Sequence, residues 1–195
     1  SATYFNCFYH EASYGNVVGG YAGTSNVVNW LGPAGDLQNV HNGSMMGYGS
    51  AVGWWAADVT SGNAWMGFEV IQSETITSYR IWPLAGYRNQ SDGIFFREQT
   101  APRDWTIQGS NDNISWTVID TQTDETFTVG LTDSEVNSSF GLDVLLDAET
   151  DGIQYSNTYN IAYPGSYKYY KIIITDTSNR NYDDYVHLTE MAYYI

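Results

Sequence analysis

Ala101-Pro-Arg-Asp-Trp105-Thr-Ile-Gln-Gly-Ser110-Asn-Asp-Asn-Ile-Ser115-Trp-Thr-Val-Ile-Asp120 is the stretch whose reading decides the fold. Trp105 and Ile107 alternate with polar neighbours, Gly109 to Asn113 supply turn residues, and Trp116 and Val118 resume the alternation. That is the pattern of a β-hairpin. Alternation predicts that both tryptophans point inward, each withdrawing a large apolar area from water to anchor one side of a sandwich core.

The composition agrees. Aromatic residues make up 16% of the chain and charged residues 15%, with frequent Gly, Ser, Thr and Asn, the profile of an all-β protein rich in turns. A length of 195 residues suffices for one sizeable core, and no linker, repeat or low-complexity tract divides it. One domain over 1–195 is expected, with an N-terminal extension over about 1–35 and an acidic insertion over about 124–155.

Charge narrows the partners. The 22 acids against 7 bases give a net charge of −15, which opposes phosphate backbones and anionic lipid surfaces, where binding proteins gain affinity from Lys and Arg. No nucleic acid and no membrane insertion are expected, and no apolar run approaches a membrane span. A neutral sugar or a bound cation is electrostatically easier. Cys7 is the single cysteine, so no intrachain disulfide forms. In an aromatic strand it reads as a small buried hydrophobe, and Cys7-x-x-His10 has no second half to complete a metal site.

The string Pro102-x-x-Trp105-x-Ile107-x-Gly109-Ser110-Asn111-Asp112-x-x-x-Trp116 resembles the signature hairpin of discoidin domains, also called coagulation factor 5/8 type C domains. That galactose-binding-like family includes many bacterial carbohydrate-binding modules, and the chain is similar to those of family 32. Tyr167-Lys-Tyr-Tyr-Lys-Ile172 resembles the family's Tyr-Arg-Tyr-Tyr-Arg-Ile strand, and Val186-His-Leu-Thr-Glu-Met-Ala-Tyr-Tyr194 its closing strand. The resemblance implies an all-β sandwich of jelly-roll type. Members from eukaryotic extracellular proteins commonly carry a disulfide, which this chain lacks, so it looks more like a bacterial or viral member.

The resemblance also implies a structural calcium ion. Asn39-Val-His-Asn42-Gly stands where the family often has Asn-Ala-x-Asp-Gly, and Asn42 and Ser50 are the candidate ligands there, completed by Glu190 on the last strand. An amide in place of a carboxylate weakens a calcium site without abolishing it. Independently, strict alternation from Val186 and Leu188 would put Glu190 on the core face, where a carboxylate must be paired or bound to a cation. The competing readings are an ion pair with an Arg and a bulge that turns Glu190 to solvent.

Residues 65–71 and 76–82 read as two strands resembling the family's paired strands before its binding loop, the second ended by Pro83. Residues 86–100 then read as a long loop, in which Tyr87, Arg88, Asn89, Phe95 and Arg97 concentrate. Long loops in compact domains are often functional. Pyranose rings stack their C–H faces on aromatics while Arg and Asn fix the hydroxyls. In sugar-binding members the corresponding loop contributes an Arg with polar neighbours. The alternative is that the phenylalanines plug the end of the sandwich and the arginines neutralise acids. Tyr182, in the connection over 176–184, joins the candidate ligand-binding set, the alternative being a simple loop. Residues 124–151 carry eight acids and no base, and an acidic solvated face is the commoner explanation than a second cation site.

No Gly-x-Ser-x-Gly, His-Glu-x-x-His or phosphate-binding glycine loop occurs, and no acid pair is marked as glycosidic by its context. The reading is a non-catalytic carbohydrate-binding or adhesion domain, extracellular or on a cell or virion surface, recognising glycans through loops at one end. The alternative is a structural or receptor-binding component of a virion or surface appendage acting through a protein partner or a homo-oligomer.

Overall fold

The computed structural model describes residues 4–5, 27–32, 55–83, 87–89, 93–95, 101–127, 156–178 and 185–195. Among them there is no helix. The strands are β1 (Tyr4–Phe5), β2 (Val27–Leu31), β3 (Trp55–Asp58), β4 (Trp65–Thr75), β5 (Ser78–Pro83), β6 (Tyr87–Asn89), β7 (Gly93–Phe95), β8 (Pro102–Ser110), β9 (Thr117–Gln122), β10 (Asn157–Asn160), β11 (Ser166–Thr177) and β12 (Tyr185–Tyr194). One sheet has the order β1-β12-β5-β10, with β3 also on β12; the other has the order β2-β4-β11-β8-β9; β6 and β7 pair with each other. All pairings are antiparallel.

The two larger sheets face each other. Alternate residues of β4 (Met66, Phe68, Val70) and of β11 (Tyr170, Ile172, Ile174) are buried, and they meet Tyr79, Ile81, Tyr159, Met191 and Tyr193 of the opposite sheet in one cluster. Phe68 packs edge-on against Tyr193 at 4.8 Å, and Trp105 against Tyr159 at 5.1 Å. Such inter-sheet aromatic pairs add to the burial of the rings themselves. A polar bridge also crosses the core. Trp105 Nε1 donates to Tyr79 Oη at 2.9 Å, and Tyr79 Oη donates to Asp120 Oδ2 at 2.6 Å, which also accepts from Gln122 Nε2 at 2.9 Å. Burial, and then the bond to Asp120, push the Tyr79 phenol far above its ordinary pKa. The bridge therefore stays neutral at the tyrosine.

The hairpin forms as expected, with two corrections. Gly109 and Ser110 belong to β8 rather than the turn, and the return arm does not keep the alternation. Ile107 pairs with Asp120 but Gln108 with Val118, so β9 carries one extra residue at Ile119. That bulge turns both Ile119 and Asp120 inward and leaves Val118 48% exposed. Trp116 lies before β9 on the outer face, where the Lys171 ammonium sits 4.0 Å from its ring centre. The tip is held by its own side chains. Ser110 Oγ accepts from the amides of Asp112 and Asn113, Asp112 Oδ1 from those of Ile114 and Ser115. Asn111 fixes the tip to β11, accepting from Lys168 N at 3.0 Å and donating to Ser166 O at 3.3 Å. Gly109 is needed for close approach: a Cβ there would lie 2.6 Å from Cγ of the Tyr167 ring.

Two further expectations are corrected. Strands β4 and β5 do not pair; the chain crosses between sheets at residues 76–77, because Ile76 turns into the core while β4 is already flanked by β2 and β11. In β12 the register shifts by one residue between Leu188 and Glu190. The buried positions change accordingly from Val186 and Leu188 to Met191 and Tyr193. Strict alternation through Glu190 fails, and with it the argument that placed Glu190 on the core face.

Candidate functional site

The register fixes which connections leave the sandwich together. Pro102 at the start of β8 pairs with Thr177 near the end of β11, and Pro83 at the end of β5 pairs with Leu188 near the start of β12. The strands flanking residues 84–101 and those flanking 178–184 thus open at the same end. The roots of these two connections touch: Ser178 N donates to Ala101 O at 3.0 Å, and Ser178 Oγ to the same oxygen at 3.2 Å.

The base of the acidic insertion lies at this end too. β9 runs out opposite Trp105, and Glu125 N donates to Arg103 O. Asn157 Nδ2 donates to Thr126 O at 2.8 Å, and Tyr159 Oη to Glu125 Oε2 at 3.2 Å, which draws the two ends of the insertion together. Arg103, half-buried, organises the charge. Its guanidinium pairs with Asp124, Nε lying 2.9 Å from Oδ1, and reaches Asp176 Oδ2 at 3.8 Å. Asp104 Oδ1 accepts from Asp124 N. Arg103 is part of the family-like string, yet no local pattern announces its role, because its partners lie on β11 and beyond β9.

Of the candidate ligand-binding residues, Tyr87, Arg88 and Asn89 form β6 and Phe95 ends β7. The expected loop over 86–100 therefore contains a small antiparallel hairpin, in which Tyr87 pairs with Phe95, Arg88 with Ile94 and Asn89 with Gly93. Its backbone sets the predicted aromatic positions 87 and 95 directly opposite each other. Arg97 and Tyr182 lie outside the described residues. So do the candidate calcium ligands Asn42 and Ser50, the Cys7 and His10 pair, and the acids at 143–151. Glu190 pairs with Trp82 in β12. Among the described residues no group of His, Cys, Asp and Glu side chains is placed to hold a metal ion.

A second cluster, which sequence reading missed, occupies the outer face of the β4-β11-β8 region. Lys171 Nζ lies 4.0 Å from the Trp116 ring centre and 5.8 Å from that of Trp65. Partial burial lowers its pKa. Beside it Lys168 Nζ pairs with Glu69 Oε1 at 3.1 Å, and Tyr169 Oη reaches the same carboxylate at 3.4 Å. Gly67 stands opposite Lys171 in the register, and a Cβ there would come within 2.9 Å of Lys171 Cβ. The arrangement lays an apolar lysine stem across the sheet and clamps the hairpin's return arm. No helix among the described residues is long and apolar enough to cross a membrane.

No family model matches the chain, and no curated protein is similar to it. Solved structures are. A truncated AlyQ with CBM32 and alginate lyase domains is 13% identical, with a TM-score of 0.52 over 87% of this chain; this chain spans 32% of that one. CpGH89CBM32-5 from Clostridium perfringens, in complex with GalNAc-β-1,3-galactose, is 9% identical at a TM-score of 0.49, over 86% of this chain and 93% of that one. The family 32 carbohydrate-binding module from Streptococcus pneumoniae EndoD is 8% identical at 0.49, over 86% and 93%. Two facing antiparallel sheets and the likeness to the AlyQ structure, at a TM-score of 0.52, give one conclusion: the chain has a discoidin-like β-sandwich fold.

Proposed function

We propose that the chain is a non-catalytic domain that binds glycans of a cell surface or polysaccharide through the connections at one end of the sandwich. The observation that carries this reading is the pair of hydrogen bonds from Ser178 to Ala101 O. They tie the root of the connection bearing Tyr182 to the root of the one bearing Tyr87, Arg88, Asn89, Phe95 and Arg97. Connections remote in sequence thereby share a root on the sandwich, the kind of support from which binding loops commonly extend. Aromatic faces for pyranose C–H surfaces and Arg and Asn groups for hydroxyls are the chemistry such a site requires. A fold by itself does not fix a ligand, so the residues bear the proposal. The same reading includes a calcium ion at Asn42, Ser50 and Glu190 that shapes the neighbouring loop, and a protein acting outside the cytoplasm.

The test is a glycan array with the purified domain, run with calcium and with a chelator, beside the Arg97→Ala variant. Selective binding that Arg97→Ala abolishes is the expected result, and loss in chelator extends it to calcium. Failure to bind any glycan in either condition overturns the reading.

A further inference from the structure

The chain has 7 bases against 22 acids, and its two lysines, Lys168 and Lys171, stand together on one outer sheet face. Met66, Phe68 and Val70 of β4, Tyr170, Ile172 and Ile174 of β11, and Trp105 and Ile107 of β8 take the core side. Alternation therefore turns Trp65, Glu69, Tyr169, Lys171 and Gln108 to the other side, all of them half-buried. Trp116 joins them from just before β9, its ring centre 4.0 Å from the Lys171 ammonium. The two lysines are not equivalent. Lys168 is neutralised by Glu69 Oε1 at 3.1 Å, which raises its pKa. Lys171 stands opposite Gly67 and Gln108 in the register, neither of them charged, and no carboxylate of the described residues pairs with it. Burial alone acts on its pKa, and acts downward. The Trp116 and Trp65 rings hold the ammonium, but among the described residues none of its three N–H donors meets an acceptor.

We propose that this outer face is a binding surface for a uronic-acid sugar, Lys171 donating to its carboxylate while the Trp116 and Trp65 rings take the C–H faces of the pyranose. The Tyr169 phenol and the Gln108 amide lie on the same face to meet hydroxyls. Charge complementarity selects the ligand. A neutral sugar leaves the ammonium unpaired, and the carboxylate of an acidic peptide satisfies the ammonium but offers no flat C–H surface to the indoles. The net charge of −15 repels anions from the protein as a whole, but at physiological salt that repulsion is screened beyond about 8 Å. A short uronate therefore meets the field of the nearby lysines. The surface lies on the strands themselves rather than on the connections over 84–101 and 178–184, and its occupancy does not depend on what those connections bind.

The test is isothermal titration calorimetry of the protein with the trisaccharides of galacturonic, mannuronic and guluronic acid and with neutral galactotriose, for the native sequence and for Lys171→Met. At least one uronate is expected to bind, and to bind more tightly than galactotriose. Lys171→Met, which keeps the apolar stem, should weaken that binding by about tenfold or more, the worth of a hydrogen bond to a charged group. NMR of the indole N–H signals of the native protein places the ligand even if the variant is unstable: those of Trp65 and Trp116 should shift on titration, and that of Trp105, 1% exposed, should not. No binding to any of the three uronates overturns the proposal. So does binding that Lys171→Met leaves unchanged or that moves neither outer indole, since the uronate then sits at the loop end, and so does equal affinity for galactotriose.

Discussion

The two tryptophans of one hairpin sit in opposite worlds. Trp105 is 1% exposed, packed between sheets against Tyr159, with its indole N–H satisfied by Tyr79. Trp116 is half-exposed on the outer face, held by the Lys171 ammonium. Sequence alternation treats them as equivalents. They differ because the extra residue at Ile119 breaks the phase of the return arm, so the core receives Ile119 and Asp120 where alternation offers Trp116 and Val118. The lesson is that an aromatic residue in a strand motif reports a sheet surface, while the bulges decide which of the two surfaces it is.

That contrast can be broken from its inner side first. Trp105→Ala should cost about 3–5 kcal/mol, from lost burial, a cavity and an orphaned Tyr79 bridge. Chemical denaturation read by far-UV circular dichroism measures it, and a loss below about 1 kcal/mol would mean that the inner tryptophan is no more important than the outer one. On the outer face, Lys171→Met keeps the apolar stem and removes the ammonium, so only the attraction to the Trp116 and Trp65 rings is lost. A cost of about 0.5–1 kcal/mol is expected in the same assay.

The smallest effect is at the hairpin tip. The amides of Ser115 and then Ile114 hold the Asp112 carboxyl down at about 2 from an ordinary 3.8. A depressed folded-state pKa means that the tip's contribution is fully present above the ordinary carboxylate value and fades as pH falls through about 2. NMR titration of the Asp112 carboxyl, with the Ile114 and Ser115 amides followed alongside, checks this. A midpoint at the ordinary value would remove the carboxylate from the tip.

The string Ser110-Asn111-Asp112 was legible as a tip motif because its hydrogen bonds are short-range: Asp112 binds amides two and three residues on, Ser110 likewise. β11 was legible through the family-like string Tyr167–Ile172, and in the structure Tyr170, Ile172 and Ile174 hold one phase and are all buried. The candidate loop at 86–100 was recognisable by composition, but the pairing of Tyr87 with Phe95 was not, because the pattern there has too few residues to show a strand period. The Arg103 cluster was illegible, since Arg103 meets Asp124 and Asp176 only after three strands have come together.

By itself the sequence determined the class of the fold, the hairpin, the absence of an intrachain disulfide and the excess of acids, all of which rest on residue type and local spacing. Only the tertiary structure decided the sheet to which each strand belongs, the change of phase at Ile119 and between Leu188 and Glu190, and the meeting of Ser178 with Ala101. The physical reason is that a strand's two faces are chemically similar in an aromatic-rich chain. Which face becomes the core is settled by register against neighbours far away in sequence, and a single extra residue reverses it.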